Sequence, residues 1–397
     1  MSPLAISWKS IWSKPISAAI NILLVAFGIG ILTVLLLATS QISNKLNHHS
    51  KGIDLVVGAK GSPLQLILSS IYHIDFPTGN IPLAEAEKIM QHPWVKRAVP
   101  LALGDNYNGF RIVGTDSSFV KLYTLKLGKG KFWEHDFETT IGAGVADEQQ
   151  LKVGDHFYGA HGLTATSDIH EHHAYKVTGI LEPQGNITDN LILTNIGSVW
   201  RMHDAKEEGA HDHHHHEEKE ITTVLIQYRS PMAVVQFPTM VNQSTNMQAA
   251  SPAAESARLF SLIGVGLDTL TWFALAIILI AAISVFANLY NSLKERSYDL
   301  AIMRILGASR RKLFLIVVSE GIVTTITGAL MGIALGHMLL ELIAHYQESS
   351  QARLTGLTFI WEEAYLMICG LGIGIAAAII PAIQAYRANI SKILSKN

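Results

Sequence analysis

The chain has 397 residues, of which 49% are hydrophobic and only 16% charged; an ordinary soluble domain carries about 25% charged residues, which argues against a purely cytosolic protein. A net charge of −2 sets aside nucleic-acid binding through bulk positive charge. One cysteine, Cys369, allows neither an intramolecular disulfide nor a cysteine-based metal cluster.

Taken from the N-terminus, residues 1–15 form an amphipathic segment with two lysines, Lys9 and Lys14, and no acid. An uncharged run over 15–44 follows and predicts a first membrane span at 16–40, because a bilayer-crossing helix needs about 20 mostly apolar residues. The apolar stretch exceeds the roughly 7 to 15 residues of a signal-peptide core, so it is expected to remain as an anchor.

Residues 41–262 are large enough for one or two folded units. Helical spacing over 63–72 and 82–91, strand character over 110–113, 175–180 and 222–228, and frequent glycines predict an α+β domain. Residues 244–256, rich in Ser, Ala, Asn and Gln, read as a polar stretch or solvated helix leading back to the membrane.

Three further uncharged runs predict a second span at 263–293, a third at 313–343 and a fourth at 364–386. They are separated by a basic segment at 294–312 and a short loop at 344–363, with a tail at 387–397. The fold class is therefore an α-helical membrane protein with four transmembrane helices, arranged 1+3, and a large α+β extracytoplasmic domain between the first and second. Lys and Arg collect in cytoplasmic loops. Lys294, Arg296, Arg304, Arg310, Arg311 and Lys312 share one side with both termini, which are expected in the cytoplasm.

Small residues let membrane helices approach closely. Gly328, Gly332 and Gly336 in the third span, and Gly370 and Gly374 in the fourth, are candidate packing faces that serve either intramolecular bundling or dimerisation. Glu320, about 10 Å along the third span from Leu313, is expected to find a polar partner near the cytoplasmic face. Pro381 is expected to bend or end the fourth span.

Sixteen of the 18 histidines lie between His48 and His216. His170, His172 and His173 form one cluster; His211, His213, His214, His215 and His216 form another, in an acidic stretch at 204–220. Imidazole is the commonest metal ligand, so this loop is a candidate site for zinc or another divalent metal, or else a solvated insertion. Neither HExxH nor GxSxG occurs, and no membrane-anchored enzyme is supported.

The segment between spans two and three carries Glu295, Arg296, Asp299, Leu300, Met303, Arg304, Gly307, Ala308, Ser309, Arg310 and Arg311; Glu295 with Asp299, and Arg296 with Leu300, fall at i,i+4 on a short charged helix that Gly307 is placed to stop. This segment resembles the permease subunits of the MacB/FtsX/Lol class of ABC transporters, in which it reads ERxxEIxxLRAxGAS. Glu295, Arg296, Leu300, Ala301, Arg304, Gly307, Ala308 and Ser309 match; Asp299 is conservative, and Met303 and Ile305 are mild departures. Residues 8–17, 53–63, 145–157 and the ending with Pro381, Ala382, Ala385, Arg387 and Leu394 are similar to the family too.

The resemblance implies a permease subunit that moves its periplasmic MacB-like domain when a separate ABC ATPase hydrolyses ATP, with residues 294–312 as the coupling contact. It implies a multi-pass protein of the bacterial inner membrane, a second permease copy or paralogue as partner in a dimer, and a periplasmic protein or lipoprotein as a further partner. The chain has no nucleotide motif of its own: GxxxxGK[ST] is absent, and Gly58 to Ser62 has the wrong spacing. ATP with magnesium is thus a cofactor only through the partner. The competing reading is a metal-handling membrane protein that receives or delivers zinc through the histidine loops, alone or within the same ABC system.

Overall fold

The structure is a computed structural model that describes residues 3–50, 52–161, 173–204, 219–346 and 354–387. The chain divides into two units, residues 1–42, 263–346 and 354–397 in one, and residues 43–262 with 347–353 in the other.

The first unit is helical. It begins with α1 (Pro3–Ser13) and α2 (Pro15–His49) and resumes with α9 (Pro252–Glu295), α10 (Ser297–Ile305), α11 (Arg310–His345) and α12 (Glu363–Arg387). Four of these, α2, α9, α11 and α12, are long and apolar enough to cross a membrane. At 1.5 Å per residue, the 44 residues of α9 reach about 66 Å, roughly twice a hydrocarbon core. Val25 and Ile29 of α2, Ile278, Ala281 and Val285 of α9, Ala329 of α11 and Ala377 and Ala378 of α12 form its buried centre.

Glycine sets the spacing inside this bundle. A Cβ at Gly332 would lie 2.7 Å from the Ala26 carbonyl oxygen and 2.9 Å from Ile29 Cβ, and one at Gly328 would lie 2.7 Å from Val25 Cβ. With Gly336 against Thr33, the glycine row of α11 faces α2. Gly370 and Gly374 of α12 instead face Ala329 and Ile322 of α11. Both rows pack against spans of the same chain.

Pro381 does not end α12. The helix continues to Arg387, because the residues after the proline are held: Ala382 and Ala385 are buried with Leu300, Leu313, Ile316 and Val317. Packing on both neighbours outweighs the loss of one backbone hydrogen bond at the proline.

The second unit is α+β. Its strands and helices run β1 (Leu55–Ala59), α3 (Pro63–Ser70), β2 (Ile81–Pro82), α4 (Leu83–Met90), β3 (Val95–Tyr107), β4 (Phe110–Thr115), α5 (Ser117–Tyr123), β5 (Leu127–Gly130), β6 (Glu138–Ile141), α6 (Ala143–Gln149), β7 (His156–Phe157), β8 (Ala160–His161), β9 (Tyr175–Leu181), β10 (Leu191–Asn195), α7 (Ile196–Asp204), β11 (Glu220–Ile221), β12 (Thr223–Tyr228), α8 (Ala233–Ser244) and β13 (Met247–Ala250). The main sheet has the order β13-β1-β12-β3-β4-β10-β6-β9-β5, with β7 on β9 and β8 on β3. Its pairs are antiparallel except β10 with β4 and β6 with β9. Leu55, Val57, Val224, Ile226 and Phe237 form one core; Phe110, Ile112, Tyr175, Val177 and Ile192 form another further along the sheet.

Two local outcomes bear on the sequence reading. Residues 58–62 end β1 and open α3, where the Ser62 hydroxyl accepts from Gln65 N–H and Pro63 takes the first turn. Residues 244–256 are neither a solvated helix nor a polar linker throughout. Met247–Ala250 is an edge strand on β1, with Met247, Ala249 and Ala250 buried; Met247 and Ala249 alternate with Asn246 and Gln248 at the period of two that a half-buried strand needs.

Candidate functional site

The segment joining α9 to α11 is a helix held between two breaks. α9 stops at Glu295, and Arg296 leaves the helical region with φ −94° and ψ 13°. α10 then closes on Gly307, whose φ of +96° suits a residue without a side chain. Gly307 N–H returns to the Arg304 carbonyl at 3.1 Å and Ala308 N–H to Met303 at 2.9 Å. The Ser309 hydroxyl caps α11 by accepting from Lys312 N–H at 3.2 Å.

The two faces of α10 differ. Leu300 and Ala301 are buried, and Leu300 packs with Leu313, Ile316 and Val317 of α11. On the other face Tyr298, Ile302, Ile305 and Leu306 are exposed, the last two by 62% and 80%. Asp299, Gly307, Ser309, Arg310 and Arg311 are also exposed, and Met303, Arg304 and Ala308 are half-buried. Nη1 of Arg304 is buried and has no hydrogen-bond partner among the described residues.

Behind α10 lies a polar network that reading the segment alone could not reveal. The Arg296 guanidinium donates to the hydroxyls of Ser10 and Ser13 on α1. The Ser10 hydroxyl donates to Glu320 Oε1 at 2.6 Å. Ser7 donates to the Ile316 carbonyl at 3.0 Å and shares a 2.6 Å hydroxyl contact with Ser319. Lys14 and Glu295 form an ion pair. Beside this network a cavity of about 250 Å³ is lined by Ile6, Leu289, Ser292, Arg296, Leu300, Met303 and Glu320, among others.

The signal for α1 was present in its spacing. Ser7 and Ser10 are buried on one side, while Trp8 and Trp12 are exposed by 54% and 67% on the other, with ring centroids 6.3 Å apart. The helix turns hydroxyls inward and aromatics outward, the reverse of a soluble helix. Such an outer face suits a membrane interface.

Of the histidine candidates, His173 stacks on Phe137 with centroids 4.8 Å apart. His170, His172, His211, His213, His214, His215 and His216 lie outside the described residues. Among the described residues no three His, Cys, Asp or Glu side chains converge as metal ligands would.

The α+β unit does bury charge. Arg111, 1% exposed, donates through Nη2 to the Asp75 carbonyl at 2.6 Å. Burial pulls its guanidinium down to about 10, partly offset by Asp105 and Asp75. The Tyr175 hydroxyl is pushed up by burial and by Asp105. Asp105 is on β3, Arg111 on β4 and Tyr175 on β9, and Asp75 is on the segment after α3.

Two family models cover these units. Residues 271–391 match the FtsX-like permease C-terminal model, and residues 18–249 match the MacB-like periplasmic core domain. The chain belongs to the MacB/FtsX-type permeases. Among solved structures, the periplasmic region of MacB from Actinobacillus actinomycetemcomitans is similar at 8% identity and a TM-score of 0.33, over 54% of this chain and 97% of that one. The extracellular domain of the noncanonic ABC-type transporter YknZ from Gram-positive bacteria is similar at 12% identity and a TM-score of 0.29, over 50% of this chain and 99% of that one. No curated protein gives a significant match. As a permease of this type, the chain is a membrane protein with four spans, its MacB-like domain inserted between the first and second.

Proposed function

We propose that this permease couples a partner ATPase to its MacB-like domain, with α10 as the contact. The observation that supports this is the exposed tip of α10. Ile302, Ile305 and Leu306 are uncovered by protein, Arg310 and Arg311 follow them exposed in the chain, and Arg304 keeps a buried nitrogen without an acceptor among the described residues. An apolar tip with a basic rim fits a groove that has an acidic border.

In this reading α10 and both termini face the cytoplasm of a bacterium, and the MacB-like domain lies beyond the inner membrane. ATP and magnesium belong to the ATPase. The permease works as a pair, each copy receiving one ATPase, and what it handles is a periplasmic protein, a lipoprotein or an amphiphile. Displacement of α10 passes to α1 and α11 through Arg296, Ser10 and Glu320, and α11 carries it along the bundle.

The test is co-purification of the permease with an ATPase encoded beside it, with ATP turnover measured in nanodiscs. Changing both Ile305→Ser and Leu306→Ser should abolish association or stimulation while leaving the permease folded, because both side chains are already exposed. Unchanged stimulation by this double variant would defeat the reading.

A further inference from the structure

Most histidines lie between spans one and two, but His337 is buried in α11, at the end of the bundle opposite α10. It belongs to a structure around residues 354–362, which form neither helix nor strand. Side chains from three spans bond the backbone of this segment at Thr355, Gly356 and Ile360. Gln41 of α2 accepts the Thr355 N–H at 2.9 Å and donates to the Thr355 carbonyl at 2.6 Å. Glu341 of α11 accepts the Gly356 N–H at 2.8 Å and the Thr355 hydroxyl at 3.0 Å.

His337 Nδ1 lies 2.5 Å from the Gly356 carbonyl, which can only accept, so that nitrogen carries the proton. Glu363, the first residue of α12, accepts the Ile360 N–H at 3.1 Å, and its other oxygen is 3.2 Å from His337 Nε2. The fit is close: a Cβ at Gly356 would collide with the His337 backbone carbonyl.

The other side of the segment is apolar. Leu357, Phe359 and Trp361 alternate along the chain and are exposed by 74%, 78% and 79%. The neighbouring ends of the spans expose apolar side chains too, Leu342 and Ile343 on α11 and Tyr365 and Ile368 on α12.

We propose that residues 354–362 form a ledge immersed at the headgroup–acyl boundary of the leaflet opposite α10, with Leu357, Phe359 and Trp361 turned into lipid. Two independent observations point to lipid as the occupant. A loop in water has its backbone groups hydrated and needs no such set of side chains, whereas here Gln41, His337, Glu341 and Glu363 bond the backbone at Thr355, Gly356 and Ile360 and tie the loop to the spans, as irregular backbone beside hydrocarbon requires. The exposed trio also leads directly into α12, whose Tyr365 and Ile368 are exposed in a span, and aromatic residues collect at that boundary. A ledge so anchored would hold the ends of α2, α11 and α12 at one depth, giving the bundle a fixed point against which a push from the other end can act. This inference does not depend on the identity of the ATPase.

The test is site-directed spin labelling of the full chain in vesicles of phosphatidylethanolamine and phosphatidylglycerol, in a Cys369→Ala background. A label at Phe359→Cys should be relaxed by oxygen and protected from a nickel chelate, and one at Glu362→Cys should show the reverse. Relaxation of the 359 label by the nickel chelate would overturn the proposal; so would shielding from both reagents, which marks cover by protein. A second measurement leaves the ledge intact: lipids brominated near the headgroup should quench a fluorescence component that disappears in Trp361→Phe. Equal quenching of the two proteins would also overturn it.

Discussion

Ser10 donates its hydroxyl proton to Glu320 across 2.6 Å, joining the N-terminal helix to the third span. Arg296 meets the same hydroxyl from the start of α10, so one serine is shared by the three elements that meet there. Removing it by Ser10→Ala should cost about 1.5 to 3 kcal/mol, the range for hydrogen bonds to charged groups. If the network transmits motion, stimulation of the ATPase should fall several-fold while association is retained. Loss of association and stimulation together would mean that the serine only supports folding.

The Lys14–Glu295 pair allows a test separating charge from geometry. Its side chains are 37% and 59% exposed, and pairs this open contribute about 0 to 1 kcal/mol. Lys14→Glu should therefore barely alter thermal unfolding. It should still weaken stimulation by the ATPase, because it sets two carboxylates against each other where the residue after α1 meets the end of α9, next to α10. Adding Glu295→Lys should restore stimulation; failure of the swap to rescue would show that the pair has no part in coupling.

Close approach of α2 and α11 makes a sharper prediction about stability. Gly332→Ala puts a methyl group 2.7 Å from a backbone oxygen that cannot move alone, and should destabilise by about 1 to 3 kcal/mol. Gly372→Ala is the control. A Cβ there meets nothing within 4 Å, and alanine is the better helix former by up to about 1 kcal/mol. Thermal unfolding in one detergent should move in opposite directions for the two variants, and equal shifts would refute the packing role of the glycine row.

What could be read from the sequence follows from the range of the interactions. Spans, the α10 break at Gly307 and strands such as Thr223–Tyr228 depend on near neighbours or on runs of apolar residues, and these are visible in one dimension. The partner of Gly332 is a residue about 300 positions away, so the glycine row announced a close contact without saying with what. Ser10 and Glu320, or Gln41 and Thr355, are separated in the same way. Pro381 failed as a stop because the packing of Ala382 and Ala385 is tertiary. Met247–Ala250 was obscured by its polar neighbours, and its strand pairing needs β1, nearly two hundred residues earlier.

Acid should loosen the turn before β6 through one carboxylate. Glu138 accepts the backbone N–H of Glu134 at 2.9 Å and of His135 at 3.1 Å, and these bonds, led by the one from Glu134 and helped by the charge of Lys131, hold its carboxyl below the usual value of 4.5. A carboxyl lowered on folding contributes stability that is present above its unfolded value and is lost as pH falls through the folded one. The turn should thus keep its protection at neutral pH and lose it progressively below about 4.5. Glu138→Gln retains an acceptor oxygen but no charge, so it should weaken protection at neutral pH and flatten the acid response. Hydrogen exchange at the Glu134 and His135 amides, corrected for the intrinsic dependence on pH, reads both effects. The same protection in the two proteins at neutral pH would show that the charge of Glu138 does not hold this turn.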